Sequence, residues 1–394
     1  MSDGARRGYP ITAWSTVNGL GTSTGQVMSA LRSGQAALSP PPAGTPFETV
    51  CGVVGPDLDP LPEALGRFDS RNNRFVQRAL AEIRPSIEAA RERWGSDRVG
   101  ICVGSSTAAM DEIESAYASH AEIGSLPAGF DVFACGSFDG LIRTLRALTG
   151  LEGPAAIVSN ACASSGKAFA SAQRWINAGI VDAVLVGGAD SLCQITLRGF
   201  RSLGLISSEP SRPFSRERRG INIGEGAAFA LLERRGQGPR LLGTGESGDA
   251  HHMTTPDPEG RGAQRAMEAA IADAGVSASD IDYVNAHGTG TAFNDAMEAR
   301  AIRATLGDRA DPIVVSTKGY VGHTLGAAGA IEAVFVLETL RNGWIPASLG
   351  ADPLDPEMGL NIPTARVDAD IRIALSNSFA FGGSNVSLVF GAPE

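Results

Sequence analysis

An α/β architecture with largely parallel sheets is predicted by three observations. Short apolar runs of strand length alternate with segments of helical periodicity from one end of the chain to the other. Glycines, 49 in 394 residues, recur at the junctions between these runs, where a backbone must turn tightly. Apolar residues make up 43% and charged ones 19%, the balance of a well-packed protein long enough for one large domain or two.

In chain order, residues 98–104 read as a strand. Residues 154–158 form a short buried strand, and 167–177 carry helical periodicity with Gly179 as the stop. Residues 183–188 and 227–232 are further strands. The stretch 234–239, Arg-Arg-Gly-Gln-Gly-Pro, has linker composition and divides the chain into an N-terminal half, 1–236, and a C-terminal half, 237–394. In the second half, 261–275 is an Ala-rich amphipathic helix and 281–286 a strand. Residues 295–306 follow as a helix, 313–316 as a strand and 326–340 as a long apolar helix. Residues 376–385 close the series as a Gly-rich hairpin-like turn. No repeat exists at the level of identical residues, but the layout repeats. Strand, small-residue loop and helix start carry Cys162 in the first half and His323 in the second, and two such units facing each other would share one cleft.

The formal net charge of −10 argues against nucleic acid as a partner. Five cysteines without a CxxC pair argue against a disulfide framework or a zinc site. His251-His252 is followed by no further ligands at metal-site spacing. The first ten residues show no apolar signal region, and no run of about 18 apolar residues marks a membrane span. The expected location is the cytoplasm.

Cys162 lies in Ser159-Asn160-Ala161-Cys162-Ala163-Ser164-Ser165-Gly166, between a strand and a helix. At a helix N-terminus, free N–H groups and the macrodipole favour thiolate over thiol, although a lone cysteine also reads as an inert core residue. Two of the five histidines sit in glycine-braced turns: His287 in Asn285-Ala286-His287-Gly288-Thr289-Gly290-Thr291, and His323 in a segment that opens with Lys318. Near the C-terminus, Phe379 and Phe381 flank a third such turn. Matched histidines beside a strand-end cysteine point to a site.

Together, Ala161-Cys162-Ala163-Ser164-Ser165, the His287 segment, the Lys318/His323 segment and Phe381-Gly382-Gly383 resemble the Cys-His-His signature of β-ketoacyl-acyl-carrier-protein synthases. The likeness runs in the family's order from about residue 100 to the C-terminus; the first 95 residues match loosely. It implies the thiolase fold, with two pseudo-symmetric halves in a five-layered αβαβα arrangement, paired as a dimer. The implied reaction is a decarboxylative condensation of an acyl thioester, held on Cys162, with malonyl-ACP. By the same resemblance, the backbone N–H groups of Cys162 and Phe381 form the oxyanion hole. His287 and His323, as neutral imidazoles, donate hydrogen bonds to an enolate, and a helix N-terminus with Lys318 nearby disfavours the imidazolium of His323. Lys318 orients His323, Glu332 supports Lys318, and Phe381 gates the acyl pocket, with Phe379, Thr289 and Thr291 as supporting residues. Thr107 falls near where the family sets pocket depth. Arg67, Arg71 and Arg74, with Arg78, recur at helical spacing and become candidate contacts for an acidic carrier protein, as do Arg212, Arg216, Arg218 and Arg219 more weakly. The implied partners are acyl-ACP and malonyl-ACP, with no cofactor and no metal.

Two departures from the family pattern lean toward a specialised pathway, such as an aryl-polyene or type II polyketide system. Arg218-Arg219-Gly220-Ile221 replaces the usual Arg-Asp-Gly-Phe, and the span from Cys162 to His287 is short. A thiolase would carry a second catalytic cysteine near its C-terminus, yet the last cysteine here is Cys193. A synthase that primes from acyl-CoA has asparagine in place of His323. A non-catalytic chain-length subunit loses the cysteine that this chain keeps. Pairing with such a subunit as a heterodimer stays open beside a homodimer.

Overall fold

The computed structural model describes residues 8–56, 58–307 and 311–393. Ten strands form two five-stranded sheets of one design. The first comprises β1 (Tyr9–Asn18), β2 (Val99–Gly104), β3 (Ala155–Val158), β4 (Ala183–Asp190) and β5 (Gly226–Glu233), in the order β3-β2-β4-β5-β1. The second comprises β6 (Arg240–Gly248), β7 (Tyr283–Asn285), β8 (Ile313–Val315), β9 (Ile373–Ala380) and β10 (Ser384–Gly391), in the order β8-β7-β9-β10-β6. Each strand of the second sheet thus takes the place of the strand five earlier in the first. The sheets join where Tyr9 and Pro10 of β1 pair with Leu241 and Arg240 of β6.

The expectation of largely parallel sheets is corrected by the strand directions. In each sheet the first three strands run parallel, while the last two are laid on antiparallel. Connection length decides this for β9 and β10. Three residues separate them, enough for a hairpin but far short of the crossover that a parallel pair needs.

Eight helices matter for the layers: α1 (Arg71–Trp94), α2 (Met110–Ile123), α3 (Phe138–Thr149), α4 (Ser164–Asn177), α5 (Gln194–Ser202), α6 (Arg261–Ala274), α7 (Ala292–Leu306) and α8 (Ala328–Asn342). Helices α1 and α3 cover the outer face of the first sheet, α6 and α7 that of the second, and α4 and α8 lie between the sheets. The five layers of the thiolase fold result. Strand alternation builds the cores on both sides of each sheet: in β4, Val184 and Val186 face α4 and α8, while Ala183 and Leu185 face α1.

Helix α8 is buried from Ala328 to Leu340, as expected of a helix that is apolar all round. Its near-continuous hydrophobicity comes from packing on both β5 and β9, and each Val or Leu so buried contributes roughly 1.5–3 kcal/mol. It also passes close to α4. A Cβ on Gly329 would lie 2.9 Å from the backbone N of Gly166, so glycine permits this crossing. The stretch at 234–239 joins the sheets but is tied down: Arg234 Nε donates to Asp182 at 2.7 Å, and Pro239 O accepts from Ile11 N at 2.8 Å. Among the described residues, no helix is long and apolar enough to cross a membrane.

Candidate active site

Edge strands β3 and β8 occupy equivalent positions, and each leads through a small-residue turn into a helix of the central layer. The first turn holds Cys162 and the second His323, whose Nε2 lies 2.9 Å from Cys162 Sγ. The turn at Cys162 is sharp. Ala161 has φ +43°, a left-handed conformation that costs a non-glycine residue roughly 1–2 kcal/mol. Ser164 locks it, its Oγ accepting from Asn160 N at 2.8 Å and donating to Ala161 O at 2.6 Å. Such a strand-to-helix elbow presents the side chain between them to an incoming group.

His323 is held by its backbone, its N donating to Asn222 O at 2.7 Å and its O accepting from Gly224 N at 2.9 Å. His287 follows β7. Both carboxylate oxygens of Glu298, on α7, are used here: one accepts from His287 N at 2.8 Å and the other from Gly288 N at 2.7 Å. Gly288 has φ +40°, and a Cβ there would meet the Ser316 side chain at 2.5 Å. The two imidazole rings stand 5.2 Å apart and nearly perpendicular, with Phe379 6.0 Å from His287. One ligand atom from each of Cys162, His287 and His323 falls within 4.8 Å of the others.

Lys318 and Glu332 form a buried ion pair at 2.5 Å, their side chains 2% and 4% exposed. Burial first, and then the Lys318 charge, hold both His287 and His323 well below the usual imidazole range. Both rings are therefore neutral at physiological pH. Burial pushes the Cys162 thiol up to about 12, with Lys318 pulling the other way. Desolvation is thus the larger influence on the thiol, against the Lys318 charge and a backbone hydrogen bond that pull it down. The resting pair is a thiol beside a neutral imidazole, the arrangement in which the ring can take the thiol proton as attack begins.

A cavity of about 180 Å³ opens onto Cys162, His287 and His323. Phe200, Leu203, Leu205 and Ile221 give it apolar surface, and Thr254, Thr289, Thr291 and Asn294 give it hydroxyl and amide groups. Phe381 lines it with its ring 5.4 Å from that of Phe200. Ile221 lies where the family pattern has an aromatic residue. Thr291 also caps α7, its Oγ1 accepting from Asn294 N. His252 reaches the same cavity, its Nδ1 accepting from Thr254 N at 3.2 Å.

The arginines named as candidate carrier-protein contacts differ among themselves in how they are held. Arg71 turns inward, bonding the buried carboxylate of Glu225 and donating to Val54 O at 2.7 Å; Glu225 has no other cation to neutralise it among the described residues, so Arg71 is structural cement. Arg67 pairs with Asp131 at 2.7 Å and Arg74 with Asp69 at 2.6 Å, both partly exposed. Arg78 donates to Thr22 O. Arg218 is paired with Asp355 in the interior, Arg212 with Glu217, and Arg216 and Arg219 are exposed. Thr107 donates from N and Oγ1 to Asp190 rather than lining the cavity.

Two further carboxylates, Glu298 and Asp190, shape the site without standing in any of its sequence motifs. Asp190, at the end of β4, accepts from Ser105, Ser106, Thr107 and Ala108 and so fixes the loop after β2. Glu298 had one visible signal. With Asp295 it forms a pair of carboxylates three apart just after the His287 turn, and both are fully buried.

Comparison with known proteins gives two family matches that together span most of the chain. Residues 64–237 match the family description "Beta-ketoacyl synthase, N-terminal domain", and 240–352 match "Beta-ketoacyl synthase, C-terminal domain". A 3-oxoacyl-[acyl-carrier-protein] synthase 2 of Staphylococcus aureus is 34% identical, covering 81% of this chain and 84% of that protein. Nodulation protein E of Rhizobium meliloti (strain 1021) is 32% identical, covering 96% of this chain and 98% of that protein. Among solved structures, a ketosynthase in complex with its chain length factor from Xenorhabdus doucetiae superposes with a TM-score of 0.91. It is 37% identical, and each chain is covered in full.

Proposed function

The chain belongs to the β-ketoacyl synthase family and is a ketosynthase of fatty-acid or polyketide synthesis; from that premise we propose how its own residues divide the work. The observation that carries the division is the 2.9 Å approach of His323 Nε2 to Cys162 Sγ with His287 alongside. Cys162 Sγ attacks the carbonyl carbon of an acyl thioester as its proton passes to His323. Negative charge collects on the carbonyl oxygen, facing the backbone N–H groups of Cys162 and Phe381. The carbonyl re-forms, the carrier's thiol leaves with the proton, and the acyl chain stays on Cys162.

A malonyl thioester then enters the cavity vacated by the carrier arm. Its C–C bond to the carboxylate breaks, CO₂ departs, and the electron pair becomes an enolate. His287 and His323 donate hydrogen bonds to the enolate oxygen, which neutral rings do without repelling a second cation beside Lys318. The enolate carbon attacks the acyl-cysteine carbonyl, and the thiolate leaves to be reprotonated. Thr289 and Thr291 hold the carrier arm, and Phe381, on its two-glycine turn, admits it. For His287→Ala we expect malonyl decarboxylation to fall roughly 10²–10³-fold, the loss typical of one oxyanion donor, with acyl transfer to Cys162 reduced less, because His323 and not His287 takes the thiol proton. Equal loss of the two half-reactions, each followed separately, would contradict this division.

The thioesters arrive on a carrier protein. Arg67 and Arg74, partly exposed near the start of α1, remain the contacts we favour, without Arg71. A specialised pathway and a paired chain are the reading for the assembly. Tyr117, Ile123 and Phe133 are 57%, 68% and 78% exposed within one short stretch. The outer edge of β3 carries no strand among the described residues, and an open edge of this kind invites pairing. Two similar structures are a ketosynthase with its chain length factor and an ishigamide ketosynthase/chain length factor, so we place a second chain of the same fold, a chain length factor, on this face. Sedimentation of the chain alone and mixed with such a factor decides it. A stable dimer of the chain alone selects the homodimer and removes the heterodimer.

A further inference from the structure

At the far end of α8 from the catalytic groups lies a second cleft of about 580 Å³. It shares no lining residue with the catalytic cavity. It is lined by Thr12–Trp14 of β1, by the helix Thr24–Arg32, by Glu82–Ser86 of α1 and by the C-terminal end of α8.

Two indoles line it, each with a guanidinium over its face. Arg341 lies 5.1 Å above Trp14, and Arg32 lies 6.0 Å above Trp344. Trp14 is fixed in place, since its Nε1 donates to Glu338 Oε1 at 2.7 Å. The acids of the cleft already have partners. Glu338 also accepts from Arg341 at 2.7 Å and from Asn342 Nδ2 at 2.9 Å. Glu82 accepts from Thr24 N and from Thr24 Oγ1, the latter at 2.7 Å. Arg32, by contrast, has no acidic partner among the described residues, and its recorded neighbour is the Trp344 ring. The cleft thus offers the Arg32 guanidinium together with the Trp14 indole, with Glu338 neutralised by Arg341 and Glu82 bonded to Thr24.

We propose that this cleft binds a planar aromatic anion, the Arg32 guanidinium taking the charged group and the Trp14 indole packing on the ring, while Trp344, 4% exposed, backs Arg32 from the core. A guanidinium forks around a phosphate or carboxylate, and indole and guanidinium planes both stack on flat ligands. Two sources share this chemistry, a nucleotide and an aromatic carboxylic acid.

Calorimetric titration of the whole protein with AMP, 2-naphthoate, adenosine and inorganic phosphate tests the proposal. We expect AMP, 2-naphthoate or both to bind with a dissociation constant below about 1 mM. Adenosine lacks the charge and phosphate lacks the ring, so each binds at least about tenfold more weakly. Binding of AMP alone identifies the nucleotide source, and binding of 2-naphthoate alone the aromatic acid. Arg32→Ala weakens the bound probe about tenfold and Arg32→Lys less, because lysine keeps the charge without the fork. Arg32 is exposed and plays no part in the reaction, so acyl transfer by either variant stays at the parent level and reports an intact fold. Absence of binding by both aromatic anions, equal binding of adenosine and AMP, or undiminished binding to Arg32→Ala overturns the proposal.

Discussion

Replacing Cys162 by alanine removes the acyl adduct. Incubated with an acyl-carrier protein, the parent gains the mass of one acyl group and the variant gains none. Condensation falls by roughly 10⁴-fold or more, the scale on which loss of a nucleophile acts. The fold is little affected, because one sulfur is lost from a turn whose shape is held by Ser164 and Ala161. Malonyl decarboxylation persists in the variant, since both imidazoles and the Lys318–Glu332 pair are untouched. An adduct of unchanged size on the variant would move the nucleophile elsewhere.

Replacing Lys318 by alanine costs stability and changes the pH profile together. Glu332, 4% exposed on its side chain, is left without its cation, and breaking a buried pair from one side costs about 3–5 kcal/mol. Burial already pushes the Glu332 carboxyl up, and Lys318 holds it down. Without Lys318 the folded protein keeps its fold by protonating Glu332, which grows harder as pH rises above the carboxyl's unfolded value. The stability deficit in urea unfolding is therefore largest near pH 8 and shrinks toward pH 5. Pairing Lys318→Met with Glu332→Gln recovers much of it, because no uncompensated charge remains.

In that doubled variant the second effect is readable. Lys318 is a cause of the lowered basicity of both imidazoles, after burial. Its removal moves their protonation up toward the ordinary histidine value, so decarboxylation fails at a higher pH on the acid side than in the parent. An unmoved acid limb, with stability behaving as stated, would leave Lys318 a purely structural residue.

Much of this site was legible because its parts announce themselves locally. Cys162 and His287 stand in small-residue turns just after apolar strands, His323 follows β8 after the short helix Lys318–Val321, and the equivalence of β3 and β8 turns that shared layout into contact. Helices α4, α6, α7 and α8 were readable for the same reason, to within a few residues at their ends, whereas α1, α2, α3 and α5 were not identified. Strand direction was not, because β5 and β1 join their neighbours across long stretches of chain and nothing local records the sense of pairing. Arg71 misled through the same gap. Its spacing from Arg67 and Arg74 is that of a helix face, but Glu225, 154 residues away, draws it inside. Glu298 illustrates the converse, a carboxylate whose role is plain only once the N–H groups of His287 and Gly288 are each seen to need an acceptor.

Helix α8 is enclosed by both sheets from its first residue through Leu340, and it carries Glu332. A segment with solvent on one side can fray on its own, but this one can unwind only if two cores part at once. Its amide hydrogens therefore exchange with water no faster than the whole molecule opens. The field that keeps the catalytic imidazoles neutral lasts as long as the fold does, and changes of substrate taste fall to the rim of the cavity, where single side chains can be exchanged without disturbing it.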